Sequence, residues 1–144
     1  MSLSELKRSG KVRPIPVDER QIANLLAISK RDLDVAASLL EKNLDWCFIA
    51  SYNSMLQASR ALLFSYGFSA SEEEQHKTVV EFVKSILGEN DLTQALDRMR
   101  RKRHEVTYDE AGAISRYEAE HALKTAERYL DAINKRIKER LGKR

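Results

Sequence analysis

One cysteine, two prolines and five glycines in 144 residues exclude several designs at once. A single thiol, Cys47, cannot close an internal disulfide, and its place in an apolar run predicts a packed side chain rather than a reactive one. Three dispersed histidines, His76, His104 and His121, with one cysteine offer no zinc-ligand spacing, so neither a metal nor another cofactor is expected. No glycine-rich phosphate loop and no serine-nucleophile motif occurs. No run approaches the roughly 18 apolar residues of a membrane span, and the polar, basic opening lacks the apolar stretch of a signal peptide. A cytoplasmic protein is expected.

What remains suits one helical domain. Hydrophobic residues make up 42%, enough for a single continuous core in 16.5 kDa, while 33% are charged, as on the outer faces of long helices. The net charge of +3 is too small to name a partner by itself. Both prolines, Pro14 and Pro16, fall in residues 1–17, where they favour extended backbone; these residues are expected to form an N-terminal arm, with a helical domain over 18–144.

From Asp18, a capping residue with Gln21 three positions on, Ile22, Leu25, Leu26, Leu33, Ala36, Ala37 and Leu40 recur at helical spacing until Asn43. Ser29 interrupts this stripe and is expected to mark a close-packing position, its hydroxyl bonding back to its own helix. Over residues 45–66 apolar side chains cover nearly the whole circumference, the mark of a central buried helix, and Gly67 supplies its stop. Ser71 with Glu74 predicts a capping box before a third helix through Val79, Phe82, Val83, Ile86 and Leu87. Asp91, with Gln94, is expected to cap a fourth. Val106 and Thr107 are β-branched, and residues 109–112 read as a loop before a last helix over about 114–141. The fold class is therefore all-α, an up-and-down bundle of about five helices whose first two long helices form a hairpin.

One residue breaks the pattern. Leu92, Ala95, Leu96, Met99 and Val106 of the fourth helix fall within an arc of roughly 100°, and Arg103 lies inside it. A guanidinium on a core-facing stripe must be paired, reach the rim, or line a cleft where it grips an anion. It belongs to a basic run of Arg98, Arg100, Arg101, Lys102, Arg103 and His104, which suits either a helix C-terminus or a phosphate-binding surface. His76 is expected to cap the third helix or to pair with Glu74 or Tyr52, and His121 to face solvent.

Two further stretches stand out. The first holds Ser51, Tyr52 and Asn53, the run from Ala58 to Leu63, then Tyr66, Gly67 and Phe68, with His76 and Lys77 opening the next helix. The second runs Arg103, His104, Glu105, Val106, Thr107, Tyr108, Asp109. Together they resemble the HEPN family (higher eukaryote and prokaryote nucleotide-binding domains). The family signature is an arginine, a polar neighbour and then a histidine after four to six residues. Arg103 and His104 match its first two positions, and Tyr108 stands where many members carry the histidine. Arg98 and His104 also satisfy the spacing, but Arg98 lies off the apolar stripe. The resemblance implies a homodimer with a composite site built from Arg103, His104 and Tyr108, and Arg98, Arg100, Arg101 and Lys102 as RNA or phosphate contacts. It implies an RNA-cleaving or RNA-binding component of a toxin–antitoxin or defence pair with a minimal nucleotidyltransferase. The alternative is a non-catalytic dimeric module that binds such a partner, or a nucleotide, without cleavage. Any ribonuclease activity would be metal-independent.

Overall fold

The computed structural model describes residues 1–142 and is a helical bundle. Its elements in order are α1 (Leu3–Arg8), β1 (Val12–Pro14), α2 (Glu19–Leu39), α3 (Leu44–Ser65), β2 (Phe68–Ala70), α4 (Gln75–Leu87), α5 (Asp91–His104), a π-helical turn (Glu105–Asp109) and α6 (Arg116–Arg140). The helical class holds. The sequence reading lacked the short α1 and the two strands, which pair antiparallel with Val12 opposite Ala70 and Pro14 opposite Phe68.

Helix α3 is the axis of the domain and packs against α2, α4, α5 and α6. Its side chains are buried all round: Cys47, Tyr52, Met55, Ala58, Ala61 and Leu62 have no exposure at all. Each large apolar side chain so removed from water contributes about 2–3 kcal/mol before entropy is counted. Polar bonds fix the register of this helix. The Asp32 carboxylate of α2, only 8% exposed, accepts from the Asn53 amide at 2.8 Å and pairs with Arg31. On the α6 side, the buried Ser59 and Tyr129 hydroxyls meet at 2.5 Å.

Several local expectations are corrected. The Ser29 hydroxyl does not bond to its own helix; it donates across to the Ser54 carbonyl of α3 at 2.9 Å, because α2 and α3 pack closely there. Ser29→Ala is therefore expected to cost about 1 kcal/mol, read as a lower midpoint in urea unfolding; a bond within one helix would be nearly neutral. Asn90, not Asp91, caps α5: its side chain accepts from the Leu92 and Thr93 amides, and the Thr93 hydroxyl accepts from the Asn90 amide. Asp91 is the first helical residue and reaches Arg128 of α6 instead.

Ser71 and Glu74 form no capping box. Ser71 bonds through its hydroxyl and its amide to the Lys11 carbonyl, and Glu74 sits in the left-handed region with no side-chain cap. Asn43 both follows the end of α2 and caps α3, accepting from the Trp46 amide. Gly67 does stop α3: at φ +81° it turns the chain into β2, and its carbonyl accepts from Ile15.

The first 17 residues pack onto the bundle, with Leu6 and Val12 buried in its core. No helix among the described residues is long and apolar enough to cross a membrane.

Candidate functional site

Helix α5 turns Ala95, Leu96 and Met99 into the core, and Arg103 follows one turn after Met99 on the same side. There the core ends, and the half-buried Arg103 opens into a cleft of about 640 Å³ lined by His76, Arg100, Arg101, Arg103, His104 and Tyr108. Among the described residues no carboxylate contributes to that lining. Asp97, one turn earlier, gathers Lys84 at 3.1 Å, Arg100 at 3.0 Å and Arg101 at 3.9 Å. Its carboxyl titrates below the usual carboxylate range, because the bonds from Lys84 and Arg100 outweigh a burial cost that pushes the other way. Arg103 has no carboxylate partner among the described residues. It presents its donors to the cleft with its charge uncompensated.

The π-helical turn shapes the far wall. If the α-helix continued, Tyr108 would stand roughly 140° around the axis from Arg103. Instead the Glu110 amide donates to the Glu105 carbonyl, an i→i+5 bond, and the Thr107 hydroxyl donates to the Arg103 carbonyl at 2.7 Å. The widened turn keeps Val106 buried and brings Tyr108 to the cleft, 66% exposed, its ring 5.0 Å from that of His104. Residues 105–109 are thus wound although Val106 and Thr107 are β-branched; of the expected loop over 109–112, Asp109 still belongs to the turn and the chain leaves it at Glu110. The following loop is pinned by Asp45 of α3, whose carboxylate accepts from the Gly112 and Ile114 amides.

The predicted site residues divide. Arg103, His104, Tyr108, Arg100 and Arg101 come together; Arg101 does so although its helical angle points away from the stripe. Arg98 and Lys102 lie elsewhere, in a second depression beside Phe48, Met99, Tyr117 and His121. His121 is exposed there and stacks on Tyr117.

His76 was not among the predicted site residues, yet it forms the α4 side of the cleft. Of its expected partners it takes Tyr52, whose hydroxyl lies 3.1 Å from Nδ1. Burial pushes the Tyr52 phenol up to about 12, although Arg103 and Arg100 pull it the other way. Burial also holds His76 below the ordinary imidazole value, reinforced by the positive charges of Arg103, Arg100 and Arg60. The signal in sequence was the family-like Tyr52 and His76 themselves; their meeting depends on how α3 and α4 pack.

Chemically, the cleft can hold an anion with planar or tetrahedral oxygens between guanidinium groups, with two imidazoles and a phenol at hand. Among the described residues no three His, Cys, Asp or Glu side chains gather closely enough to hold a metal ion. A search of curated proteins returns no match for this chain. The profile of the HEPN domain matches residues 22–137, a span that takes in α3, α4, the arginine cleft and nearly all of α6. With most of its length matched, the chain belongs to the HEPN family.

Proposed function

We propose that the cleft binds RNA through its phosphates. On this reading the chain is the RNA-cleaving or RNA-binding member of a toxin–antitoxin or defence pair with a minimal nucleotidyltransferase. The observation that carries it is the convergence of Arg100, Arg101 and Arg103 on one open cleft whose lining holds no carboxylate. Family membership supports a nucleotide- or RNA-related role in general. The RNA, the partner and the homodimer, in which two such clefts would face each other across an isologous contact, are parts of the proposal.

In the cleaving form, the 2′-hydroxyl attacks the adjacent phosphorus and the 5′-oxygen leaves. Negative charge builds on the phosphoryl oxygens, where Arg103 and its neighbours stabilise it. His104 would transfer protons, and Tyr108 would donate a hydrogen bond. The non-cleaving form is favoured by Tyr108 itself: a phenol is a poor base at neutral pH, and this one occupies the slot of the usual histidine.

Anisotropy of a fluorescent single-stranded RNA, titrated with the chain at several salt concentrations, tests the binding. Three arginine–phosphate contacts predict a slope of log affinity against log salt of about −2. A slope near zero, or affinity unchanged in Arg103→Ala, would remove the cleft from RNA binding.

A further inference from the structure

The geometry points to His76 as a neutral hydrogen-bond donor to a phosphate group in the arginine cleft, with Tyr52 the positioning residue that fixes its tautomer. The inference rests on the reading of the cleft as a phosphate site and adds a ligand from a second helix.

Tyr52 has no exposed surface, so its hydroxyl proton has no water to bond. A buried donor needs an acceptor, and the polar atom within reach is His76 Nδ1 at 3.1 Å. The nearby arginines, Arg100 and Arg103 of α5 and Arg60 of α3, carry donors only, and the Asp97 carboxylate, whose charge also acts on Tyr52, accepts from Lys84 and Arg100 and makes no bond to Tyr52. Tyr52 therefore donates to Nδ1, which leaves the imidazole proton on Nε2.

Among the described residues Nε2 has no hydrogen-bond partner, and the only fully buried side-chain nitrogen or oxygen without a hydrogen bond is Oε2 of Glu81, which lies 3.8 Å from Lys11 Nζ. Nε2 is thus open, and the ring to which it belongs lines the cleft. A donor aimed between guanidinium groups meets only an acceptor that they also attract, namely an anionic oxygen. Burial, and after it the charges of Arg103, Arg100 and Arg60, favour the neutral imidazole in the free chain, so it offers a directed donor with little further repulsive charge. His104 and Tyr108 complete the groups around the cleft. A bound phosphate would favour the imidazolium and raise the titration point of His76.

Long-range proton–nitrogen NMR of the imidazole rings tests this on the full chain, with inorganic phosphate as the probe. Expected is an Nε2–H tautomer for His76 in the free chain and a saturable shift of that ring on adding phosphate, with its titration moved upward. His76→Ala should weaken phosphate binding about tenfold. His76→Gln, whose amide reaches the Nε2 position, should stay within about threefold of wild type. His76→Asn, whose amide reaches only the Nδ1 position, should fall with alanine. Tyr52→Phe should fold and show mixed tautomers with intermediate affinity.

An Nδ1–H tautomer in the free chain, no response of His76 to phosphate, or Gln and Asn variants that behave alike would overturn the assignment. RNA binding is scored separately by anisotropy. A chain that ignores RNA while His76 responds to phosphate would sink the RNA reading and leave this one standing. A chain that binds RNA with His76 silent toward phosphate would do the reverse.

Discussion

Arg103→Ala is expected to lower RNA affinity about tenfold and, where the chain cleaves, to slow cleavage by about 10²–10³-fold, the usual cost of losing one transition-state donor. Arg103 should outweigh its neighbours because its charge is the uncompensated one. Asp97 already engages Arg100 and comes within 4 Å of Arg101, whereas Arg103 has no carboxylate partner among the described residues. Arg100→Ala should therefore cost less. Arg103→Lys should recover part of the affinity through charge and little of the rate, since an ammonium lacks the planar fork. Gel assays of single-stranded RNA in the presence of EDTA, with end-group analysis for 2′,3′-cyclic phosphate, read the rate. Undiminished binding and cleavage in Arg103→Ala would refute the assignment. Tyr108→His is expected to raise cleavage by restoring an imidazole to the family slot. A wild-type chain that leaves RNA intact, with Tyr108→His equally silent, would leave the binding module as the sole reading.

The largest loss of stability is expected from Phe82→Ala. Phe82 is fully buried on α4, edge-on to Tyr66 at 6.0 Å between ring centroids and tilted against Phe68 at 6.2 Å. It joins α4 to the end of α3 and to β2, and truncation there leaves a cavity with stiff walls. The cost should be about 3–5 kcal/mol, a large share of the 5–15 kcal/mol that holds an ordinary domain together. Urea unfolding should show a lower midpoint at unchanged slope. Because α4 also carries His76, the variant should weaken phosphate binding even where it remains folded. A loss below about 1 kcal/mol would show that the neighbouring rings close over the gap.

Much of this molecule could be read from its residues, and the reasons differ from place to place. The helical class followed from periodicity, and the central position of α3 from its apolar circumference. Arg103 was conspicuous because a guanidinium had replaced an apolar side chain on a core-facing stripe. What could not be read depended on close alternatives or on packing. Asn90 and Asp91 are both good caps, and Thr93, which reaches back to the Asn90 amide, decided between them. The three-residue strands are too short to show a period of two. The π-helical turn hides behind Val106 and Thr107, which weaken an α-helical reading, while the bonds from Thr107 to the Arg103 carbonyl and from the Glu110 amide to the Glu105 carbonyl keep the chain winding. The pairing of His76 with Tyr52, 24 positions away on another helix, was among the expected ones. Its place in the cleft was not, because spacing along one helix carries no trace of how α4 meets α5. Likewise the basic run looks uniform in sequence, yet Arg98 and Lys102 leave the cleft for the depression beside Tyr117.

The pairing of β1 with β2 has a consequence for the order of assembly. Helices α2 and α3 are neighbours in sequence and pack as a hairpin, so their contacts close short loops and can form while the rest of the chain is still being made. Residues 12–14 leave the ribosome before either helix, but their partners, residues 68–70, follow only after both. Leu6 must wait longer still, because it docks with α1 against α4. During synthesis the first stretch of this sequence therefore travels as an unsatisfied strand and an uncovered leucine while the hairpin behind it is already complete. Its docking waits for β2 and α4, which are themselves made before α5 and α6.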